Sequence, residues 1–198
     1  MERDLELLFE LGALRNMPRQ WSRFHMPNVA NNSEHMFRVA WIALVIAARE
    51  GKQVDTGKIV KMAMAHDIAE SRTGDVDYIA RQYVQRDEHQ AAQDMLADTS
   101  LSAEFAELLA EYEARETLEA KIVKDADTLD VDIELREQAS QGHTLPASWN
   151  KQRNYVGASK LFTKAAKAMH AAIRDAEPND WHIKSPKNRL NGGDWKQK

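Results

Sequence analysis

The chain predicts an all-α fold, a single-domain helical bundle. Three observations point there. Strand signals are missing, since no stretch of alternating β-branched residues is bounded by turn residues. Apolar residues recur at helical spacing through most of the chain. Gly, Pro, Asn and Asp gather at a few points that divide these patterns into helices of ordinary length.

The elements follow in order. Leu5, Leu8, Phe9 and Leu11 mark a first helix that ends between Gly12 and Met17. Residues 18–32 contain two prolines and a paired asparagine and read as a loop. Ser33 is placed to cap a helix over residues 34–50, which Gly51 stops. Thr56-Gly57 opens a helix that carries His66-Asp67 and closes at Thr73-Gly74-Asp75. A polar amphipathic helix is expected over residues 78–97 and another over 102–113. A long helix spans 118–138, a turn lies at 142–146, and the last long helix runs over 156–175 until Pro178-Asn179-Asp180 breaks it. The domain then covers residues 1–183, and 184–198 form a polar tail, with Trp181 and Trp195 as candidate anchors.

Composition narrows the function classes. The 198 residues suit one domain with a substantial core. A net charge of -4 argues against coating a nucleic-acid polymer. The absence of cysteine excludes disulfides, thiol nucleophiles and cysteine-based zinc sites. The start Met1-Glu2-Arg3-Asp4-Leu5-Glu6 is too charged for a secretory signal, and no apolar run is long enough to span a membrane. The expectation is a soluble, cytoplasmic protein that uses no membrane. Trp and Met residues at helical spacing read as core material, and His25, His89, His143, His170 and His182 as surface or packing residues.

The chemistry concentrates at His66-Asp67, inside the stretch from Ile59 to Glu70 that is otherwise almost wholly apolar. Burying an imidazole beside a carboxylate is costly unless something pairs with them, and a divalent cation does so. At about 100° per residue, His66, Asp67 and Glu70 share a third of the helix circumference. His35 sits in the first turn of its own helix, able to point into a groove between helices. Residues 122–131 offer three further carboxylates. Asp127 stands in a column with Val123 and Val131, whereas Asp125 neighbours Lys121 and looks closer to the surface. Periodicity favours Asp127 only modestly, and Asp125 and Asp130 read as solvated helix charges.

The ordered set His35, His66-Asp67, Asp127 resembles the H…HD…D signature of the HD superfamily of metal-dependent phosphohydrolases. Ser33-Glu34-His35, His66-Asp67-Ile68-Ala69-Glu70, Thr73-Gly74-Asp75 and Val123-Lys124-Asp125-Ala126-Asp127 resemble the small HD proteins grouped with the bacterial 5'-deoxynucleotidase. Pro178-Asn179-Asp180-Trp181 is similar to a C-terminal signature of related members, so the likeness spans roughly residues 7–181. It implies an all-helical enzyme whose His35, His66, Asp67 and Asp127 hold one divalent ion. Mixed nitrogen and oxygen ligands suit Mn, Fe, Co, Ni or Zn better than Mg.

The resemblance further implies that Glu70 accepts or relays a proton and that Asp75 stands at the substrate. For substrate contacts the family has an adjacent Arg-Trp pair in the loop before the first ligand helix. Here Gln20 separates Arg19 from Trp21, which leaves Arg19 and Arg23 as alternatives for the phosphate. Trp21 could cover a sugar or base, and Lys124 could contact the phosphate. The expected reaction is hydrolysis of a nucleoside 5'-monophosphate, most readily a deoxynucleotide, by a homodimer. A triphosphohydrolase using the same metal site and a non-enzymatic helical module with a structural metal are the alternatives.

Overall fold

The computed structural model describes residues 1–184; Trp195 and most of the expected polar tail lie outside them. Its α-helices are α1 (Glu2–Ala13), α2 (Asn32–Glu50), α3 (Thr56–Ala65), α4 (Glu70–Thr73), α5 (Glu88–Leu96), α6 (Ser102–Ala114), α7 (Leu118–Ser140), α8 (Asn150–Ser159), α9 (Lys164–Asp175) and α10 (Asp180–Ile183). Among the described residues no strand forms; Pro18 and Asn31 make an isolated antiparallel bridge that closes the loop before α2.

The architecture centres on α7, which packs against α2, α3, α6 and α9. Val39, Ile42 and Ile46 of α2, Ile59 and Met62 of α3, Leu108 of α6, and Ile122, Ala126 and Leu129 of α7 form the main core. Each of the Val, Ile, Leu and Met side chains contributes roughly 2 kcal/mol by leaving water. A second cluster joins Leu7 and Leu14 to Met36, Ile68 and Met95, fastening α1 and α5 onto one end of the bundle. A third gathers Trp21, Met26 and Leu135, with Phe24 and Trp149 against them.

The cap of α2 is Asn31 rather than Ser33. Asn31 Oδ1 accepts from the Glu34 backbone N–H at 3.0 Å, and Glu34 Oε2 accepts from the Asn31 N–H at 2.9 Å. This reciprocal capping box starts the helix two residues earlier and puts Asn32 and His35, both fully buried, in its first turn. At the far end Gly51 has φ +64, the left-handed conformation that glycine adopts without steric cost.

Three expected helices come out differently. The one carrying His66-Asp67 ends at Ala65. The chain then tightens through bonds spanning three residues: Ile68 N–H to Ala65 O, Glu70 N–H to Asp67 O, and Ser71 N–H to Ile68 O. The uniform 100° phase therefore does not run from His66 to Glu70, although both still face one cavity. The helix expected over 78–97 shortens to α5, because Asp87 caps it by accepting from the Gln90 N–H at 2.9 Å.

The third, over 156–175, splits into α8 and α9. Asp125 of α7 causes the break. Its carboxylate accepts from the backbone N–H groups of Phe162 and Thr163, both at 2.8 Å, and from Thr163 Oγ1 at 2.7 Å. Thr163 then caps α9. Asp125 is thus fully buried, not a solvated charge. The Trp and Met residues also divide: Trp21 is buried, but Trp41, Met64 and Trp181 are exposed.

Candidate metal centre and its cavity

The first turn of α2, the C-terminal end of α3 and the middle of α7 meet at one point. One ligand atom each from His35, His66, Asp67 and Asp127 lies within 4.8 Å of the others. His35 Nε2 is 3.4 Å from Asp67 Oδ2 and 3.3 Å from Asp127 Oδ1. His66 Nε2 is 3.2 Å and 3.9 Å from the same two atoms.

The outer nitrogens are already engaged. His66 Nδ1 lies 2.8 Å from the Ala63 carbonyl, and His35 Nδ1 lies 2.6 Å from Asp130 Oδ2. These acceptors favour the tautomer with hydrogen on Nδ1, which turns both Nε2 lone pairs inward. Both Nε2 atoms are buried and without a hydrogen-bond partner. Two lone pairs aimed at two carboxylates repel, unless a cation sits between them. The donor set therefore fits a divalent metal ion.

Without an ion, a proton on His35 takes the cation's place: against its burial, hydrogen bonds to Asp127, Asp130 and Asp67 raise its pKa well above the usual imidazole value. Burial opposes ionisation of Asp67, yet His66 and His35 hold its carboxyl far below the usual carboxylate range. Asp127 is likewise held well down against its burial, by Lys124 and the two imidazoles. Asp130, expected in solvent, is buried beneath the centre instead. It bonds both His35 and Arg38, and Arg38 in turn reaches Glu134 at 2.8 Å and Glu137 at 2.7 Å.

Glu70 stands beside the cluster, 6% exposed. Its Oε2 accepts from Asn32 Nδ2 at 2.5 Å. Burial, reinforced by the negative charges of Asp67 and Asp75, pushes its pKa up to about 8. Asp75 accepts from the Gln20 backbone N–H at 3.0 Å and from the Gln20 side chain at 3.4 Å. Gln20, the residue that interrupts the Arg-Trp pair, thus anchors Asp75.

The cluster opens into a cavity of about 710 Å³. His66, Asp67, Asp127, Glu70, Asp75, Arg19, Trp21 and Lys124 all line it. Arg19 is buried among carboxylates, with Nη1 at 3.3 Å from Asp75, 3.4 Å from Asp67 and 4.0 Å from Glu70. Lys124 Nζ is 2.7 Å from Asp127 Oδ2. Trp21 packs edge-on against Trp149, ring centroids 5.2 Å apart, so it also anchors its loop on the core. Arg23 is not brought to the cavity; it is exposed and paired with Asp77. Of the other histidines, His170 packs against Gly157, and His89 lies at the cavity rim, exposed.

Sequence reasoning passed over Arg86, Arg115, Arg153 and Asn32, which surround the same site. Only Asn32 carried a local signal, its place beside the Asn31 cap. The arginines arrive from separate helices and loops, where no local pattern marks them.

Comparison with known proteins places this geometry. A family model described as the HD domain matches residues 11–170. The chain belongs to the HD-domain family. Among curated relatives, the 5'-deoxynucleotidase HDDC2 of Dictyostelium discoideum is 31% identical over 156 residues, covering 73% of this chain and 82% of that one. The 5'-deoxynucleotidase HDDC2 of Homo sapiens is 30% identical over 145 residues, 70% of each chain. Among solved structures, a conserved hypothetical protein from Pyrococcus furiosus superposes with a TM-score of 0.71 at 26% identity. That match covers 87% of this chain and 99% of the other. No helix among the described residues is long and apolar enough to cross a membrane.

Proposed function

We propose that this HD-domain chain is a metal-dependent phosphohydrolase that cleaves nucleoside 5'-monophosphates, deoxynucleotides foremost, to nucleoside and phosphate. The observation that carries the reading is the pair of unpartnered Nε2 atoms facing Asp67 and Asp127, with the buried carboxylate of Glu70 beside them. The 5'-deoxynucleotidase relatives support the choice of substrate.

His35, His66, Asp67 and Asp127 would hold one divalent ion, with Mn, Fe, Co, Ni or Zn better matched to the donors than Mg. When bound, such an ion polarises a phosphoryl oxygen and makes water nucleophilic near neutral pH. Glu70 accepts the proton of the attacking water, and the Asn32 amide keeps its carboxylate in place. Arg19 ties Glu70 and Asp75 into one rigid unit. Asp75 faces the sugar or the attacking water, while Trp21 and Lys124 flank the substrate.

In this reading residues 1–183 form one catalytic domain, acting in the cytoplasm as a homodimer. The exposed Phe37 and Trp41 on α2 support an interface. A screen of nucleoside mono- and triphosphates against several divalent ions tests the proposal. Release of orthophosphate from monophosphates is expected. Release of triphosphate from deoxynucleoside triphosphates would replace it with the triphosphohydrolase reading.

A further inference from the structure

We propose that Arg115, with Lys124 beside it, receives the phosphate oxygens of the substrate. This rests on the phosphohydrolase reading above and adds a residue to it. Arg19 also lines the cavity, with its Nη1 held by Asp67, Asp75 and Glu70, the carboxylates of the centre itself. The other cavity arginines are engaged as well. Arg86 pairs with Glu88, Arg153 with Asp132, and Arg81 donates to the Val76 carbonyl.

Arg115 differs in three ways. Its Nη1 is buried and has no hydrogen-bond partner, a costly state for a charged donor. Its guanidinium lies over the Tyr112 ring, 3.3 Å from the centroid, and that ring packs edge-on against His66 at 5.6 Å. The stack fixes a cation next to a metal-facing imidazole. Third, Arg115 closes α6 at φ +55, a left-handed conformation where glycine or asparagine would be less strained. Strain of this kind gathers at ligand-binding positions.

Lys124 supplies the second charge. It lines the same cavity as Arg115, and although its Nζ is 2.7 Å from Asp127 Oδ2, an ammonium has further N–H groups to offer an anion. Like charges held together in a cavity, one with an unused N–H, form a receptor for an anion. A phosphate monoester carries two negative charges and several acceptor oxygens, and a guanidinium fork suits it.

The left-handed φ makes Arg115→Gly a conformationally safe deletion of the side chain, and Arg115→Lys keeps the charge without the fork. Each full-length, metal-loaded variant is titrated with inorganic phosphate and assayed with a deoxynucleoside monophosphate. Arg115→Gly is expected to weaken phosphate binding and kcat/KM by about ten- to a hundredfold, the loss of one charged hydrogen-bonding group. Metal content and Tm should stay at the wild-type level, with Arg115→Lys intermediate. Arg115→Gly that binds phosphate and turns over like the active wild type overturns the assignment and leaves the phosphohydrolase reading intact. A wild type that binds phosphate through Arg115 but hydrolyses no nucleotide supports the anion site and sinks the nucleotidase reading. Wild type that binds no phosphate and hydrolyses none overturns both.

Discussion

His35 Nδ1 lies 2.6 Å from Asp130 Oδ2, and Arg38 holds the other oxygen of that carboxylate. The contact links a buried aspartate, three residues past Asp127 on α7, to the back of an imidazole whose front faces the metal centre. Such a carboxylate fixes the ring and strengthens it as a donor. Asp130→Asn is therefore expected to lower metal affinity about ten- to a hundredfold while the helical content holds. Titration of the metal-free protein with Zn or Mn, followed by calorimetry, measures this. Unchanged affinity would show that Asp130 serves packing alone.

Asp67 and Glu70 should separate by function. Asp67→Ala removes a donor from the centre and is expected to abolish both metal binding and hydrolysis. Glu70→Ala leaves all four donors in place. It should retain the metal and lose about a hundredfold or more in kcat, the usual worth of a positioned general base. Metal analysis beside steady-state rates distinguishes the two. A Glu70→Ala enzyme of full activity would remove Glu70 from the mechanism.

The environment of Glu70 also sets a pH dependence. Its ordinary value is 4.5, and burial with Asp67 and Asp75 raises it to about 8 in the folded, metal-free protein. The folded state binds this proton more tightly than the unfolded chain. The resulting stability is complete below about 4.5 and is lost as pH rises towards about 8. Glu70→Gln cannot titrate, so the Tm of metal-free wild type should fall relative to that variant across this window. Parallel Tm profiles would contradict the assignment.

Much of this was legible in the chain, and the misreadings along α7 share one cause. Helical spacing put Glu70 near His66 by a phase that the chain in fact breaks after Ala65, and it favoured Asp127 only modestly over its neighbours. It failed for Asp125 and Asp130 because α7 is packed by α2, α3, α6 and α9, so no side of it is a simple solvent face. Amphipathic reasoning assumes one buried stripe. Here buried carboxylates are matched by partners 37 and 95 residues away, Phe162 and His35, which no local window contains. The same distance hid the split between α8 and α9. Arg23 looked equivalent to Arg19 in sequence, but the short helical turn over Gln20–Phe24 directs it towards Asp77.

Asp125 gives a test of that packing. Its carboxylate answers three donors just before α9, the two from Thr163 buried and the one from Phe162 part-buried. Asp125→Ala should cost about 3 kcal/mol by orphaning them. Metal affinity should be preserved, since Asp127 is the donor on α7. Chemical denaturation and metal titration of the same variant check both parts. A stable protein with weakened metal binding would exchange the roles of the two aspartates.

The most direct test of the central claim is phosphate release from a deoxynucleoside 5'-monophosphate by the purified chain, before and after chelation and metal return. The account predicts orthophosphate release that disappears with the metal, returns when a divalent ion is restored, and is absent from Asp67→Ala throughout. Undiminished hydrolysis by rigorously metal-free protein, or by Asp67→Ala, would contradict it.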